Sequence, residues 1–401
     1  MLFGNKQDST CYVQSISIIL KSMDNNIQSI PEEEIIKSRS KGLHLIIALL
    51  VVIIVVLIGI FIYLFLSPNK SEAPSSTTKI VPVSHKTSST LNPYQGWNKT
   101  TSLPTSTDFA TSMVYKGYVY EIGRAFIVPY TTVDYAHINS NGTLSSWIAT
   151  TSLPKITYSA TFVVYNGYAY AIGGRNKSAF STVDYAPINS NGSLGSWTTT
   201  TSLPTATYNA TSVVYNGYVY EIGGFNGSAV LSTVDYAPIN SNGTLGSWSS
   251  TSSLPTIIWY ATSVVYNGYV YEIGGNNGST VFSTVDYAPI NSNGTLGTWS
   301  STSSLPTATD FATSVVYNGY VYEIGGNNGS TYLSTVDYAP INSNGTLDSW
   351  TQTTSLPTAT KVSTSVVYNG YIYEIIEKYP DNIITFTIDY AHIKSNGTLG
   401  F

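Results

Sequence analysis

The stretch that decides the fold is VVYNGYVYEIGG, residues 213–224. Asn216 and Gly217 stand between two runs in which β-branched and aromatic residues alternate. An Asn-Gly pair supplies both positive-φ residues of a type I′ turn, so the stretch predicts a tight β-hairpin. The Gly223-Gly224 pair ends the second strand of that hairpin.

Two more strands are predicted downstream of the hairpin. The run STVDYAPI, residues 232–239, is typical of a third strand. The run INSNGTLGSW turns through Asn242-Gly243 into a fourth strand that ends on Trp248. The unit is therefore predicted to be a four-stranded antiparallel sheet. Apolar or aromatic residues lie on both faces, so each sheet needs a neighbour on either side.

The chain contains this unit six times. The tryptophans that mark it lie 50 or 51 residues apart, at Trp97, Trp147, Trp197, Trp248, Trp299 and Trp350. Such a period lies in the range of propeller repeats of about fifty residues. We predict a β-propeller, in which neighbouring sheets pack around an axis and bury both faces. The segment from Tyr94 to Trp97 is expected to complete or abut the outer strand of the last blade and close the ring.

A family resemblance rests on the repeated double glycine, followed by a tyrosine and a tryptophan. The glycine pairs begin at Gly173, Gly223, Gly274 and Gly325, and the tyrosines are Tyr185, Tyr236, Tyr287 and Tyr338. This pattern resembles the kelch motif and covers about three quarters of the chain. The spacing from Tyr to Trp is longer than in the usual kelch unit. The outer copies also depart from the pattern, with Gly123-Arg124 in the first and Ile375-Ile376 in the last.

We therefore predict an all-β fold, a six-bladed kelch-like β-propeller of four-stranded blades over residues 97–401, preceded by a single transmembrane α-helix. The helix is the uncharged run LIIALLVVIIVVLIGIFIYLFL, residues 45–66, which is long enough to span a bilayer. It follows an N-terminal segment, 1–44, and precedes a stalk rich in Ser, Thr and Pro, 67–96.

The helix is predicted to act as an uncleaved signal anchor. Lys37, Arg39 and Lys41 crowd its N-terminal flank. The positive-inside rule then places residues 1–44 in the cytoplasm and the propeller outside the cell. The expected localisation is the cell membrane, with a single pass.

Composition excludes several classes of protein. A net charge of −5 argues against sequence-independent binding to nucleic acid, which needs a basic face. Cys11 is the single cysteine, which rules out a disulfide framework and a thiolate metal cluster. It also lies outside the propeller, so the crosslinked Cys-Tyr copper site of propellers resembling galactose oxidase is not expected. His137 and His392, the propeller's only histidines, have no third ligand. We expect no metal and no cofactor.

The copies differ mainly on one rim of the ring, in the inter-blade loop after Leu-Pro and in the loop after the double glycine. Aromatic, arginine and acidic side chains at such positions are typical contacts for proteins or sugars. The alternative is drift at exposed positions. The candidate ligand-binding residues are Asp108, Phe109, Arg124, Tyr158, Arg175, Tyr208, Phe225, Trp259, Tyr260, Asp310, Phe311 and Lys361.

Carboxylates recur in the blades and are interpreted as structural, because catalytic pairs are normally unique constellations. They are Glu121, Glu221, Glu272, Glu323 and Glu374 on the second strands, and Asp134, Asp184, Asp235, Asp286, Asp337 and Asp389 on the third.

Three functions remain open from the sequence. The first hypothesis is a non-enzymatic, membrane-tethered propeller that binds a protein or glycan outside the cell, for adhesion or recognition. The second is a carbohydrate-active or isomerase-type enzyme with its site near the axis, for which Arg124, Arg175 and Lys361 are candidates. The third is a passive surface spacer without a specific ligand.

Overall fold

The computed structural model describes residues 96–104, 111–124, 130–360, 363–378 and 385–400, with backbone only at 123–124, 130, 377–378 and 385–386. These residues form 24 β-strands. No helix in the described part of the chain is long and apolar enough to cross a membrane. The predicted N-terminal segment, transmembrane helix and stalk up to residue 95 lie outside the described residues and stay predictions.

Six four-stranded antiparallel sheets, the blades, make up the fold. Blade 1 is β2 (Thr111–Tyr115), β3 (Tyr118–Arg124), β4 (Tyr130–His137) and β5 (Ile148–Ala149). Blade 2 is β6 (Thr161–Tyr165), β7 (Tyr168–Ile172), β8 (Val183–Pro187) and β9 (Thr198–Thr199). Blade 3 is β10 (Thr211–Tyr215), β11 (Tyr218–Ile222), β12 (Val234–Pro238) and β13 (Ser249–Ser250).

The remaining blades repeat this order, except that the last takes its outer strand from the start of the propeller. Blade 4 is β14 (Thr262–Tyr266), β15 (Tyr269–Ile273), β16 (Val285–Pro289) and β17 (Ser300–Ser301). Blade 5 is β18 (Thr313–Tyr317), β19 (Tyr320–Ile324), β20 (Val336–Pro340) and β21 (Thr351–Gln352). Blade 6 is β22 (Ser363–Tyr368), β23 (Tyr371–Lys378), β24 (Thr385–His392) and β1 (Asn98–Lys99).

The predicted hairpin between the first and second strands is confirmed. Asn216 and Gly217 have φ values of 46° and 82°, as a type I′ turn requires. Tyr215 and Tyr218 face each other directly across this turn. Blade 1 makes the same turn with Lys116, at φ 45°, in place of asparagine. The rim that carries these six turns is called the turn rim below, and the opposite rim is called the loop rim.

The fourth strand differs from the prediction. In blade 3 it is Ser249–Ser250, which begins after Trp248 instead of ending on it. The indole nitrogen of Trp248 donates a hydrogen bond of 3.0 Å to the carbonyl oxygen of Thr201, in the loop between blades 2 and 3. The backbone of Leu245, just before Trp248, is bonded to the hydroxyls of Thr200 and Thr201 in the same loop. The ladder with β12 therefore consists of the two residues after Trp248.

The blades close into a ring. The first strand of each blade contacts the first strands of both neighbours, and β2 of blade 1 contacts β22 of blade 6. The first strands therefore surround the axis. The outer strand β1 pairs with β24, with Asn98 opposite Tyr390. Trp97 is 2% exposed and donates to the carbonyl oxygen of Thr354. The predicted ring closure is confirmed, with the pairing strand directly after Trp97.

The core lies between blades, as the two apolar faces of the repeat predict. Val219 packs with residues of blade 2, whereas its neighbour Tyr220 packs with residues of blade 4. In every blade, the tyrosine at the repeat position of Tyr220 donates its hydroxyl to a glycine carbonyl in the next blade. The six pairs are Tyr120 with Gly192, Tyr170 with Gly243, Tyr220 with Gly294, Tyr271 with Gly345, Tyr322 with Gly397 and Tyr373 with Gly142.

Candidate functional site

The two variable loops of each blade meet on the loop rim. In blade 3, Tyr208 lies in the loop after Leu-Pro and Phe225 follows the double glycine. Their backbones exchange hydrogen bonds, 3.1 Å from the Tyr208 nitrogen and 2.9 Å from the Phe225 nitrogen. Blades 2, 4 and 5 form the same bridge, between Tyr158 and Arg175, Trp259 and Asn276, and Asp310 and Asn327. The structure thus places the two sets of candidate residues side by side.

A backbone arc links these loops from blade to blade. The amide of Asn209 donates to the carbonyl of Ser159, that of Tyr260 to Asn209, and that of Phe311 to Tyr260, at 3.0–3.2 Å. All four residues have φ between 52° and 55°. Bulky residues rarely adopt this left-handed conformation. Because the first strands begin two residues later and surround the axis, the arc holds these side chains at the mouth of the ring.

Five aromatic side chains form one continuous cluster along this arc, called the aromatic band below. It comprises Tyr208, Phe225, Trp259, Tyr260 and Phe311. The ring centroids of successive members are 5.5, 5.1, 4.5 and 3.8 Å apart. The first three separations lie in the range of favourable aromatic pairs, whereas Tyr260 and Phe311 stack more closely. The band extends from blade 3 to blade 5.

The side chain after the double glycine of one blade contacts the side chain in the loop after Leu-Pro of the next blade. The type of interaction differs at each of three boundaries. Arg175 of blade 2 lies over the ring of Tyr208 in blade 3, 4.6 Å from its centroid. Phe225 of blade 3 contacts Trp259 of blade 4. In the third case the Asn276 amide of blade 4 donates to the Asp310 carboxylate of blade 5. At these three boundaries, the two residues that contact each other differ together from one repeat to the next.

Burial divides the candidates into two groups. Tyr208 is 9% exposed and Asp310 is 6% exposed, so both are occupied with contacts inside the protein. Phe225, Trp259, Tyr260 and Phe311 are half-buried, and Arg175 is exposed. The second group, which is four members of the band together with Arg175, is what a ligand can reach.

The polar groups beneath the band are held in place by their neighbours. The Trp259 indole nitrogen donates to the Asn276 side-chain oxygen, and the Asn276 amide donates to Asp310. Burial raises the pKa of Tyr260, and the nearby positive charge of Arg175 only partly opposes this rise. The Tyr260 phenol is therefore neutral at physiological pH. A neutral apolar surface with a guanidinium at one end is suited to binding.

The other candidate residues lie at several places. Tyr158 is half-buried in the bridge with Arg175. Arg124 ends β3, where the backbone alone is described, whereas Asp108, Phe109 and Lys361 lie outside the described residues. Of the three residues suggested for an enzyme, Arg175 is thus the one whose side chain is described.

Sequence reasoning missed several residues of this rim. Asn209 and Asn276 support the band, and the signal for them was that their repeat positions vary among the copies, although Asn327 repeats the asparagine of Asn276. Ile257 and Tyr332 are large side chains in the same loops and are 44% and 52% exposed. Ile257 replaces the alanine that three other copies carry at that position, which was the available signal.

The repeated carboxyls lie inside the blades. Glu272 faces Asp286 across the second and third strands and accepts a hydrogen bond from the Ser263 hydroxyl. Burial raises the pKa of Glu272 to about 8. No group of three His, Cys, Asp or Glu side chains in the described ranges is arranged to hold a metal ion. His137 and His392 each pack edge-on against a tyrosine of their own blade.

Comparisons with known proteins agree with this architecture. A family model described as the kelch motif matches residues 206–236, from the inter-blade loop of blade 3 to its third strand. Among solved structures, the chain is similar to YjhT, with 15% identity and a TM-score of 0.56 over 72% of this chain and 99% of that one. At that identity the likeness shows the fold alone. No curated protein sequence matches the chain. The chain is thus a closed six-bladed β-propeller, and the part of blade 3 within residues 206–236 matches the kelch motif.

Proposed function

We propose that this protein is a non-enzymatic binding module that recognises a protein ligand through the exposed part of its aromatic band. The observation that carries the proposal is the continuous contact of Phe225, Trp259, Tyr260 and Phe311 at the mouth of the ring. Propellers with kelch repeats commonly serve as protein-binding modules, which supports the proposal.

The chemistry of the band favours a protein over a glycan. Tyr, Trp and Arg are the side chains that dominate the binding energy of protein interfaces. A sugar needs a free aromatic face, whereas Tyr260 and Phe311 stack on each other at an interplanar angle of 28°. The backbone arc also keeps the band rigid, which lowers the entropy lost on binding.

The proposed location is the outer face of a cell membrane. Its support is the uncharged run 45–66 with basic residues on its N-terminal flank. Cys11, the single cysteine, offers a direct test of orientation. A membrane-impermeant maleimide should label it only after the cells are permeabilised. Labelling of intact cells would contradict the proposed orientation.

The binding function can be tested with the full-length chain in detergent, on arrays of cell-surface proteins and of glycans. The Phe225→Ala/Phe311→Ala variant should lose the protein signal. Ile148→Ala is the control, because Ile148 is 54% exposed on the outer strand β5, away from the loop rim. Equal binding by wild type and the double variant would refute the role of the band. A signal on glycans alone would replace the protein ligand by a sugar.

A further inference from the structure

A second concave site lies on the turn rim, opposite the aromatic band. It is a cleft of about 250 Å³ between the hairpin turns of blades 1 and 2. Tyr115, Lys116 and Tyr118 line it from blade 1, and Asn166, Asn189 and Ser190 line it from blade 2. Pockets for drug-sized ligands start at roughly 300 Å³, so this cleft has room for about one sugar ring.

The cleft lies where the repeat departs from its own pattern. The five other hairpin turns have asparagine at the position of Lys116, namely Asn166, Asn216, Asn267, Asn318 and Asn369. Among the residues that line the cleft, Lys116 is the one with a charge. Lys116 is exposed, and its Nζ lies 5.2 Å from the centroid of the Tyr115 ring. The lysine therefore adds a cation to a site whose other parts recur around the ring.

Each part of the lining suits one part of a sugar acid. Tyr115 and Tyr118 are half-buried rings against which the C–H face of a sugar can pack. The Asn166 amide, the Asn189 side-chain oxygen and the Ser190 hydroxyl are exposed groups that can bond to sugar hydroxyls. The Asn189 side-chain nitrogen donates to the Ser193 hydroxyl in its own turn. The Lys116 ammonium can pair with a carboxylate, in a hydrogen bond strengthened by both charges. His137, which replaces the proline of blades 2–5, packs edge-on behind Tyr118 at 5.3 Å.

We propose that the cleft between blades 1 and 2 binds a monosaccharide that carries a carboxylate, a uronic acid, with Lys116 as the residue that selects it. This site is separate from the aromatic band and does not depend on its ligand. The same types of wall residue recur at the boundaries from blade 2 to blade 5, whereas Lys394 replaces the counterpart of Asn189 in blade 6. In the cleft between blades 1 and 2, the exchange of one turn residue supplies the specificity.

Binding of glucuronate to the full-length chain, measured by saturation-transfer NMR and titration, tests this proposal. Glucose, which lacks the carboxylate, should bind about tenfold more weakly, as should acetate, which lacks the ring. Raising the salt concentration should weaken glucuronate binding, because the pair is exposed to solvent.

Two substitutions isolate the role of the lysine without disturbing the fold. Lys116→Asn restores the residue that adopts the same backbone, at φ 46° to 48°, in the five other turns. It should lower glucuronate affinity by about tenfold. Asn216→Lys in that variant places the cation at the equivalent boundary of blades 3 and 4 and should restore binding. Absence of binding by the wild type, unchanged binding by Lys116→Asn, or equal binding of acetate and glucuronate would each overturn the proposal.

Discussion

The hydroxyl of Tyr373 donates a hydrogen bond of 2.8 Å to the carbonyl oxygen of Gly142, which lies 231 residues earlier in the chain. The bond joins the last blade to the first. It is the sixth member of a set that links every pair of neighbouring blades, and all six tyrosines are fully buried. The boundary that closes the ring is thus built from the same contact as the boundaries along the chain.

Removal of this hydroxyl should weaken the ring. In Tyr373→Phe the buried carbonyl of Gly142 loses its donor, which should lower the free energy of unfolding by about 1–2 kcal/mol. Denaturant titration measures the change. Tyr271→Phe removes the same bond, to Gly345, at an internal boundary and should cost a similar amount. A loss in Tyr271→Phe without one in Tyr373→Phe would mean that the closing boundary does not depend on the bond.

Trp97 should be the most sensitive of the repeat tryptophans. It is almost completely buried next to the closing strand, so Trp97→Ala should lower the free energy of unfolding by about 3–5 kcal/mol. Trp350 occupies the same repeat position but is half-buried. Trp350→Ala should therefore cost less, as judged by thermal or denaturant unfolding. The reverse order would contradict the role of Trp97 in closure.

Stability should fall as the pH rises from about 4.5 to about 8. Burial raises the pKa of Glu272 and of Glu374 from 4.5 to about 8, so the folded state keeps protons that the unfolded chain has lost. Below pH 4.5 both states are protonated and the effect vanishes. Above pH 8 both are ionised and the stability levels off. Thermal unfolding between pH 4 and pH 9 measures this profile.

Glu272→Gln should flatten that profile. The amide has the shape of the protonated carboxyl and does not ionise, so the variant should gain stability over wild type as the pH rises to 8. Asp348→Asn removes a carboxyl that is exposed and should leave the profile unchanged. A wild-type profile that rises between pH 4.5 and pH 8 would contradict the buried, protonated state of these side chains.

The amide that supports the aromatic band should also matter for stability. Asn276→Ala removes the acceptor of Trp259 and the donor to the buried carboxylate of Asp310, which should cost about 1–3 kcal/mol. Asn327 has the same place in blade 5, and its side-chain oxygen accepts a hydrogen bond from Gly329 within its own loop. Asn327→Ala should cost less. Equal losses of stability in the two variants would show that the hydrogen bond from Asn276 to Asp310 adds no stability of its own.

Local chemistry explains which parts of the fold could be predicted. The hairpin at Asn216-Gly217 follows from turn geometry, which needs no knowledge of distant residues. The order of strands follows because the unit recurs at a fixed period. Ring closure follows because every sheet has apolar residues on both faces and needs a neighbour on either side.

Long-range contacts explain what the sequence could not show. The fourth strand of blade 3 starts after Trp248 because the preceding backbone, at Leu245, bonds to Thr200 and Thr201, 45 and 44 residues away. The candidate positions were found because the copies differ there. Their division into buried and accessible residues depends on contacts between blades, such as Asn276 with Asp310, which no single repeat contains.

The pairing of β1 with β24 also determines when the propeller can be completed during synthesis. Asn98–Lys99 is made before any other strand of the ring, whereas its partner is made last. Blades 1 to 5 can each pair their own strands as they emerge, but the sixth has no outer strand until the nascent chain reaches back to its beginning. A chain that terminates within the last copy leaves an open sheet edge and an unpaired strand. Such ends join to other chains, so early termination should yield aggregates instead of a smaller ring.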